Sequence, residues 1–342
     1  MDLIKRYKEI NDSFKEVMIY HLGVDAGFFT EYTYMLDAML FCLQHKIQFK
    51  LYSDDANFRS EKGWTDYFLP FCGEVHEVFH HKYNRHRLPS WGRIIKEKNW
   101  SLIKWKLKCG CLNVRGDLTA FACYKRKVFL NHHVKFNANT HFYIPELGID
   151  GSYLDAFKVM VNITWRLNDG IKDKVHELIG SLNLSDNYIG CQIRGGDKIT
   201  ETQLLSPAFY YHAINKKKCF MKDAFVLTDD IRIFRLLQEE YPEIHWLTLC
   251  TSDEKGYVNS NFSNKGGELK LQQMIRFIAS MEILMKASLF IGSITAGPSN
   301  FLLKLFYPKH HPIDCLPEQF EYLSNFRMVE RCKIAEEYLR NC

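Results

Sequence analysis

Between Ile189 and Glu201 the chain reads IGCQIRGGDKITE. An apolar run suited to a buried strand gives way there to Arg194, Asp197, Lys198 and Glu201, with Gly195 and Gly196 between the charges. Arginine presents a planar, permanently charged fork of donors that matches phosphate oxygens. Adjacent glycines let the backbone approach a ligand closely. Lys198 adds a second positive charge, and Asp197 and Glu201 are carboxylates placed to take a proton. The combination suits an anion grip at the end of a strand. The plain alternative is a charged surface turn closed by an Arg194–Asp197 pair.

Two further stretches share this character. SITAGPSN, Ser293 to Asn300, separates an apolar strand from an apolar helix. Pro298 suits the first turn of that helix, and Ser293, Thr295 and Gly297 suit the loop before it. A helix start collects phosphates through its free N–H groups and dipole. Plain capping explains the same residues. Thr228-Asp229-Asp230 ends the strand FVLT, where the two carboxylates could hold ribose hydroxyls or cap the next helix. A GxxxxGK[ST] phosphate loop does not occur, nor does a DxD carboxylate pair.

Positioning these groups requires strands whose carboxyl ends face one way. VMIYHL, a glycine-bearing turn, a helix over Thr30–His45 and the strand IQFKLYSDD make a βαβ unit and hence a parallel sheet. Gly23 and Gly27 belong to that turn, either as turn chemistry or as a ligand-facing loop. Phe157–Leu184 reads as helix, interrupted at Asn168-Asp169-Gly170. A second alternation follows through YIGCQI, FVLTDD, IHWLTL, a helix over Glu268–Ala287 and SLFIG. The expectation is α/β with two Rossmann-like, doubly wound domains facing a cleft. They are drawn as 1–180 and 181–315, with a helical tail over 316–342. Ligands of such sheets lie beyond the carboxyl ends of the strands, where all three constellations fall.

At 342 residues and 46% apolar content the chain is long enough for two domains with ordinary cores, and a net charge of +5 does not demand nucleic acid. Eleven scattered cysteines lack zinc spacing and read as reduced thiols. An apolar run of the ~20 residues needed to span a membrane is missing, as is a signal-peptide core, so the expectation is a cytoplasmic protein. From Lys82 to Lys108 nine lysines and arginines face one acid, Glu97, and three of the six tryptophans (Trp91, Trp100, Trp105) lie among them. Basic residues interleaved with aromatics suit a solvated helix, an anionic membrane surface, a sugar platform or nucleic acid. Peripheral contact at the inner membrane face ranks above nucleic acid, which is not expected as a partner.

At these residues the chain resembles the fucosyltransferase superfamily, with the core alpha-1,6-fucosyltransferases and the rhizobial nodulation fucosyltransferases nearest. Their H-V-R-R-T-D-K stretch is similar to Gln192-Ile193-Arg194-Gly195-Gly196-Asp197-Lys198, their A-T-D-D strand end to Leu227–Asp230, and their serine-rich turn to Ser293-Ile294-Thr295-Ala296-Gly297. The ordered motifs cover roughly residues 186–310. The resemblance implies a GT-B fold and inverting, metal-independent transfer of fucose from GDP-fucose to a glycan or glycolipid hydroxyl, with no cofactor beyond the donor. It implies donor contacts from Gln192, Arg194, Gly195, Gly196, Asp229, Asp230, Glu282, Ser293, Thr295, Ala296 and Gly297. Arg194 would hold the β-phosphate, with Asp197, Lys198 and Glu201 in the catalytic step. Gly23, Asp25, Gly27 and Trp64 would lie on the acceptor side.

The chain departs from that pattern at specific places. The family's guanine-contacting histidine is Gln192 and its second arginine is Gly195. Its usual base falls at Thr202 by strict counting, one residue from Glu201. Its acidic guanine contact falls at Ser280, with Glu282 the nearest acid; Ile278, Met281 and Met285 form an apolar stripe with Glu282 at its edge, from which Ser280 points away. Two rival readings follow: another nucleotide sugar in surface-polysaccharide synthesis on the same fold, or a non-catalytic protein binding nucleic acid or membrane through 82–108.

Overall fold

The computed structural model describes residues 2–23, 27–83, 136, 140–196, 204–217, 220–293 and 296–306, with isolated positions between 92 and 107. The chain divides into two compact units: Met1–Phe136, His141–Gly151 and Asp155–Arg166 in the first; Asn137–Thr140, Ser152–Leu154 and Leu167–Cys342 in the second. Most of the basic segment 82–108 and all of 316–342 lie outside the described residues.

The first unit opens with α1 (Leu3–Ser13), capped by Asp2, whose side chain accepts from Ile4 N. Strand β1 (Glu16–His21), helix α2 (Phe28–His45), strand β2 (Ile47–Tyr52) and the short β3 (Gly73–Glu74) build a parallel sheet in the order β1-β2-β3. The expected βαβ unit is therefore present. β3 pairs with β2 only from Lys50 onward, which leaves Phe49 beyond its reach. Asn11 fills that gap. Its amide accepts from Phe49 N at 2.7 Å and donates to Phe49 O at 3.0 Å, so the backbone stays satisfied. Short helix α3 (Val78–Tyr83) follows.

The aromatic stretch after Gly63 is core. Asp66 gathers the loop by accepting from the backbone N–H of Ser60, Glu61, Lys62 and Gly63, at 2.7 to 3.0 Å. That knot sends Trp64, Phe68 and Phe71 inward against Tyr32 and Phe49. Further on, β4 (His141–Ile144) and β5 (Ile149–Ser152) form a two-stranded ladder, followed by α4 (Tyr153–Thr164).

The second unit begins with α5 (Asp169–Gly180). The break expected at Asn168-Asp169-Gly170 is a helix start: Asn168 Oδ1 accepts from Ile171 N at 3.0 Å. Asn168→Ala is therefore expected to cost about 1 kcal/mol. Asn168→Asp should keep the cap and lie close to wild type, and a urea unfolding curve checks both. Next come β6 (Ile189–Ile193), α6 (Pro207–Lys216), β7 (Asp223–Thr228), α7 (Ile231–Glu240), β8 (His245–Leu247), α8 (Asn259–Ser263), α9 (Gly267–Lys286), β9 (Leu289–Gly292) and α10 (Gly297–Phe306). The four strands are all parallel, in the order β8-β7-β6-β9.

Alternation along β6 explains how both faces of this sheet are covered. Ile189, Cys191 and Ile193 pack on one side with Tyr210 and Ile214 of α6 and Leu237 of α7. Gly190 and Gln192 face the other side, where Leu284 of α9 and Ser299 of α10 approach. α5 packs on α9, so it belongs with the second unit, and the division falls at Arg166 and not at residue 180. Ser280, expected to point away from the apolar stripe of α9, is enclosed all the same. It is buried and donates to Arg276 O at 2.9 Å, because α9 is covered by α5 as well as by the sheet. Among the described residues no helix is long and apolar enough to cross a membrane. Cys42, Cys72, Cys191 and Cys250 are free thiols, and burial pushes Cys191 up to about 12.

Candidate functional site

The strand order of the second sheet marks one place on its edge. The chain runs outward from β6 through β7 to β8, then returns to the other side of β6 to form β9. In sheets of this kind the carboxyl ends of the two strands flanking such a reversal, here β6 and β9, are where ligands bind. Arg194, Gly195 and Gly196 leave β6 at that point, and Ser293 and Ala296 leave β9. The start of α10 points the same way, since it follows β9 directly. Ala296 N donates to Ser293 O at 3.2 Å, and Asn300 N to Ala296 O at 2.9 Å, which defines the first turn.

Gln192, 2% exposed, accepts from Ser299 Oγ at 2.6 Å. Its NH2 group has no partner among the described residues, so a buried amide on the penultimate residue of β6 keeps donors at the strand end. Ser299 can come this close because Gly292 has no side chain; a Cβ there would fall on Ser299 Oγ.

Arg194 and Asp229 are brought together by register. β6 and β7 pair Ile193 with Thr228, so the next residues of the two strands are neighbours. Arg194 Nη1 donates to Asp229 Oδ2 at 2.6 Å, with side-chain exposures of 20% and 15%. Gly195 N donates to Asp229 Oδ1 at 2.7 Å. The ring of Tyr257 lies under the guanidinium, 5.3 Å from its carbon, within cation–π range. Gly196 takes φ +57, and a Cβ there would sit 2.5 Å from Tyr257 N and O. A Cβ on Gly256, at φ +109, would sit 2.6 Å from Gly196 Cα, so two backbones cross where neither tolerates a side chain.

Asp230 behaves differently from its neighbour. It caps α7 by accepting from Arg232 N at 3.0 Å, and it also pairs with the Arg232 side chain at 2.6 Å. Arg232 holds its carboxyl below the usual carboxylate range. Of the two readings of Thr228-Asp229-Asp230, capping describes Asp230. Glu282 sits on α9 with Lys286 at 3.9 Å. Asp197, Lys198, Glu201 and Thr295 lie outside the described residues.

On the first unit, Gly23 follows β1 with φ +116, and its N–H donates to Glu31 at 3.0 Å. A Cβ there would sit 2.6 Å from Asp55 O, so the turn itself requires glycine. Gly27 is the N-cap of α2, with open space where a side chain would point, and Asp25 lies outside the described residues. Trp64 is a correction. At 1% exposure it stacks on Phe68 with centroids 4.4 Å apart, and its indole N–H donates to Leu69 O at 3.4 Å. A residue so enclosed presents no surface to an acceptor.

Tyr257 and Gly256 join the site although their sequence context did not single them out. Gly256 in DEKGYVN was the available signal, as a turn glycine shortly after a strand.

No protein-family profile matches the chain, and no curated protein sequence resembles it. Solved structures do. A NodZ alpha-1,6-fucosyltransferase soaked with GDP-fucose superposes with a TM-score of 0.50 at 12% identity, covering 85% of this chain and 92% of the other. An Arabidopsis thaliana FUT1 mutant in complex with GDP gives 0.50 at 10% identity, covering 91% and 73%. The chain thus has a mixed α/β fold with parallel sheets, similar to that of fucosyltransferases.

Proposed function

We propose that the protein is a glycosyltransferase of GT-B type that moves fucose from GDP-fucose to a hydroxyl of a glycan or glycolipid, with inversion and without a metal. The observation that carries this reading is the pairing of two anion-binding elements at one strand-order reversal: the Arg194-Gly195-Gly196 loop after β6 and the start of α10 after β9. A diphosphate is the ligand that needs both. Arg194 supplies charge and fork geometry, and the helix start supplies N–H groups and its dipole. The donors of Gln192 lie at the same strand end and suit acceptor atoms of a nucleobase. The fold likeness to structures holding GDP-fucose and GDP points to the same donor.

In the proposed reaction negative charge grows on the departing diphosphate as the bond to the sugar breaks. Arg194, Lys198 and the start of α10 stabilise that charge, with Ser293, Thr295, Ala296 and Gly297 at the phosphate side. Asp197 or Glu201 takes the acceptor's proton. Glu282 is the acid proposed to face the base. The acceptor-side role is proposed for Gly23, Asp25 and Gly27.

Titration calorimetry in chelator with GDP, GDP-fucose, GDP-mannose, UDP and ADP tests the reading. Micromolar binding of GDP and GDP-fucose is expected, with UDP and ADP weaker. Preference for UDP or ADP would exchange the donor on the same site, and no nucleotide binding would overturn the proposal.

A further inference from the structure

Asp229 has an arrangement that a ligand contact does not explain. Its carboxylate accepts from Arg194 Nη1 (2.6 Å), Gly195 N (2.7 Å) and Tyr257 N (2.9 Å), and its own carbonyl accepts from Gly256 N at 2.7 Å. Three chain segments therefore meet on one side chain: the exits of β6 and β7, and the loop 254–258. A carboxylate has about four acceptor sites, and three are already filled from within the protein. A ribose hydroxyl would find only the one remaining site, on Oδ1 beside Gly195 N.

The pairing with Arg194 is also end-on. Oδ2 takes a single N–H from the guanidinium while Oδ1 is turned to Gly195. A bidentate clasp would consume the fork that recognises phosphate, whereas a single bond with an aromatic ring beneath fixes its plane and heading. Loop 254–258 is held against the anion loop by the Gly196–Gly256 crossing. Its far side is anchored by Ile231 N to Glu254 O (2.9 Å) and by Arg276 Nη2 to Glu254 Oε1 (2.8 Å), so the ring of Tyr257 is not a loose cover.

We infer that Asp229 is a positioning residue: with Tyr257, it aims the guanidinium of Arg194 at the ligand's diphosphate and does not itself touch the nucleotide. The inference deepens the donor reading and rests on it.

The sign of one substitution separates this role from its rivals. A carboxylate beside a diphosphate repels it, so if Asp229 only balanced charge, Asp229→Asn would tighten GDP binding. If it aims Arg194, the same change loosens the guanidinium and weakens binding, by about 10- to 100-fold, the usual scale for losing an orienting partner. GDP is titrated into wild type, Asp229→Asn, Arg194→Ala and the double variant at one ionic strength. The expected result is weaker binding to Asp229→Asn and no further loss when it is added to Arg194→Ala. Binding to Asp229→Asn that is unchanged or tighter overturns the inference. So do losses that add in the double variant, as for a direct ribose contact or a general weakening of the fold. Should Asp229→Asn fail to fold, Tyr257→Leu removes the ring and keeps the backbone N–H. It is expected to weaken GDP several-fold, and affinity within a factor of two of wild type overturns the inference. Wild type that binds no GDP removes the donor reading and this role together, a pattern distinct from GDP binding that ignores Asp229.

Discussion

Arg194→Ala is expected to lower GDP and GDP-fucose affinity by ~100-fold or more, the scale of losing a charge-stabilising donor from a partly enclosed site. Two effects act in the same direction. The substitution removes the fork proposed to grip the β-phosphate, and it leaves Asp229 behind. Asp229 would keep its bonds from Gly195 N and Tyr257 N and so stay where it is, now as an uncompensated negative charge at an anion site. Arg194→Lys should lie between the two, since it restores charge but not the planar fork or the stacking on Tyr257. Stability should fall as well, because the pair is largely enclosed, with side chains 20% and 15% exposed, and Asp229 is left without its counter-charge. Calorimetric titration beside a thermal melt reads both quantities. Affinity within a factor of two of wild type would remove Arg194 from donor binding, whatever the fold resembles.

Both Arg194 and Asp229 stand out in the sequence, but their pairing does not, and the reason is distance along the chain. Arg194 sits at the end of an apolar run flanked by glycines, all within a dozen residues, and local pattern is enough to find it. The role of Asp229 depends on β7 lying beside β6 with Ile193 opposite Thr228, a pairing across 35 residues that no periodicity encodes. Before that register is known, Asp229 and Asp230 look alike. Afterwards one faces Arg194 and the other turns to cap α7. Tyr257 is hidden for the same reason, since it arrives from a loop beyond β8. The elements with regular apolar spacing, β1, α2, β6, β7, α9 and β9, were legible to within a residue or two, whereas α1, α6 and the short β3, β4 and β5 were not. The burial of Ser280 was not legible, because amphipathic reasoning assumes one covered face and α9 has two. Gly195 shows the reverse. The resemblance places an arginine there, but a Cβ would meet Asp230 Cβ at 3.1 Å and Ile233 at 3.4 Å, so local crowding makes glycine the better residue.

Trp64→Ala is expected to cost about 3–5 kcal/mol, the range for emptying a buried aromatic site. Against a total stability of about 5–15 kcal/mol this is a large share, and the melting temperature of the first unit should fall by roughly 10 °C. The prediction turns on what surrounds the indole. Phe68 stacks on it, Tyr32 lies parallel at 5.8 Å and Phe71 meets it edge-on at 5.6 Å. Ser53 Oγ accepts from its backbone N–H at 2.9 Å. Little could collapse into the hole, because those neighbours are pinned in turn by the Asp66 knot and by Leu69 N donating to Arg166 O at 2.7 Å. A sugar platform would behave in the opposite way. An exposed tryptophan could be removed with the melt unchanged and only acceptor affinity lost, as stacking on a glycan needs an open ring face. Thermal unfolding beside GDP titration at 20 °C separates the two: a lowered melt with intact GDP affinity places Trp64 in the core of the first unit. An unshifted melt would mean that the aromatic cluster tolerates the void, and would return Trp64 to the acceptor side.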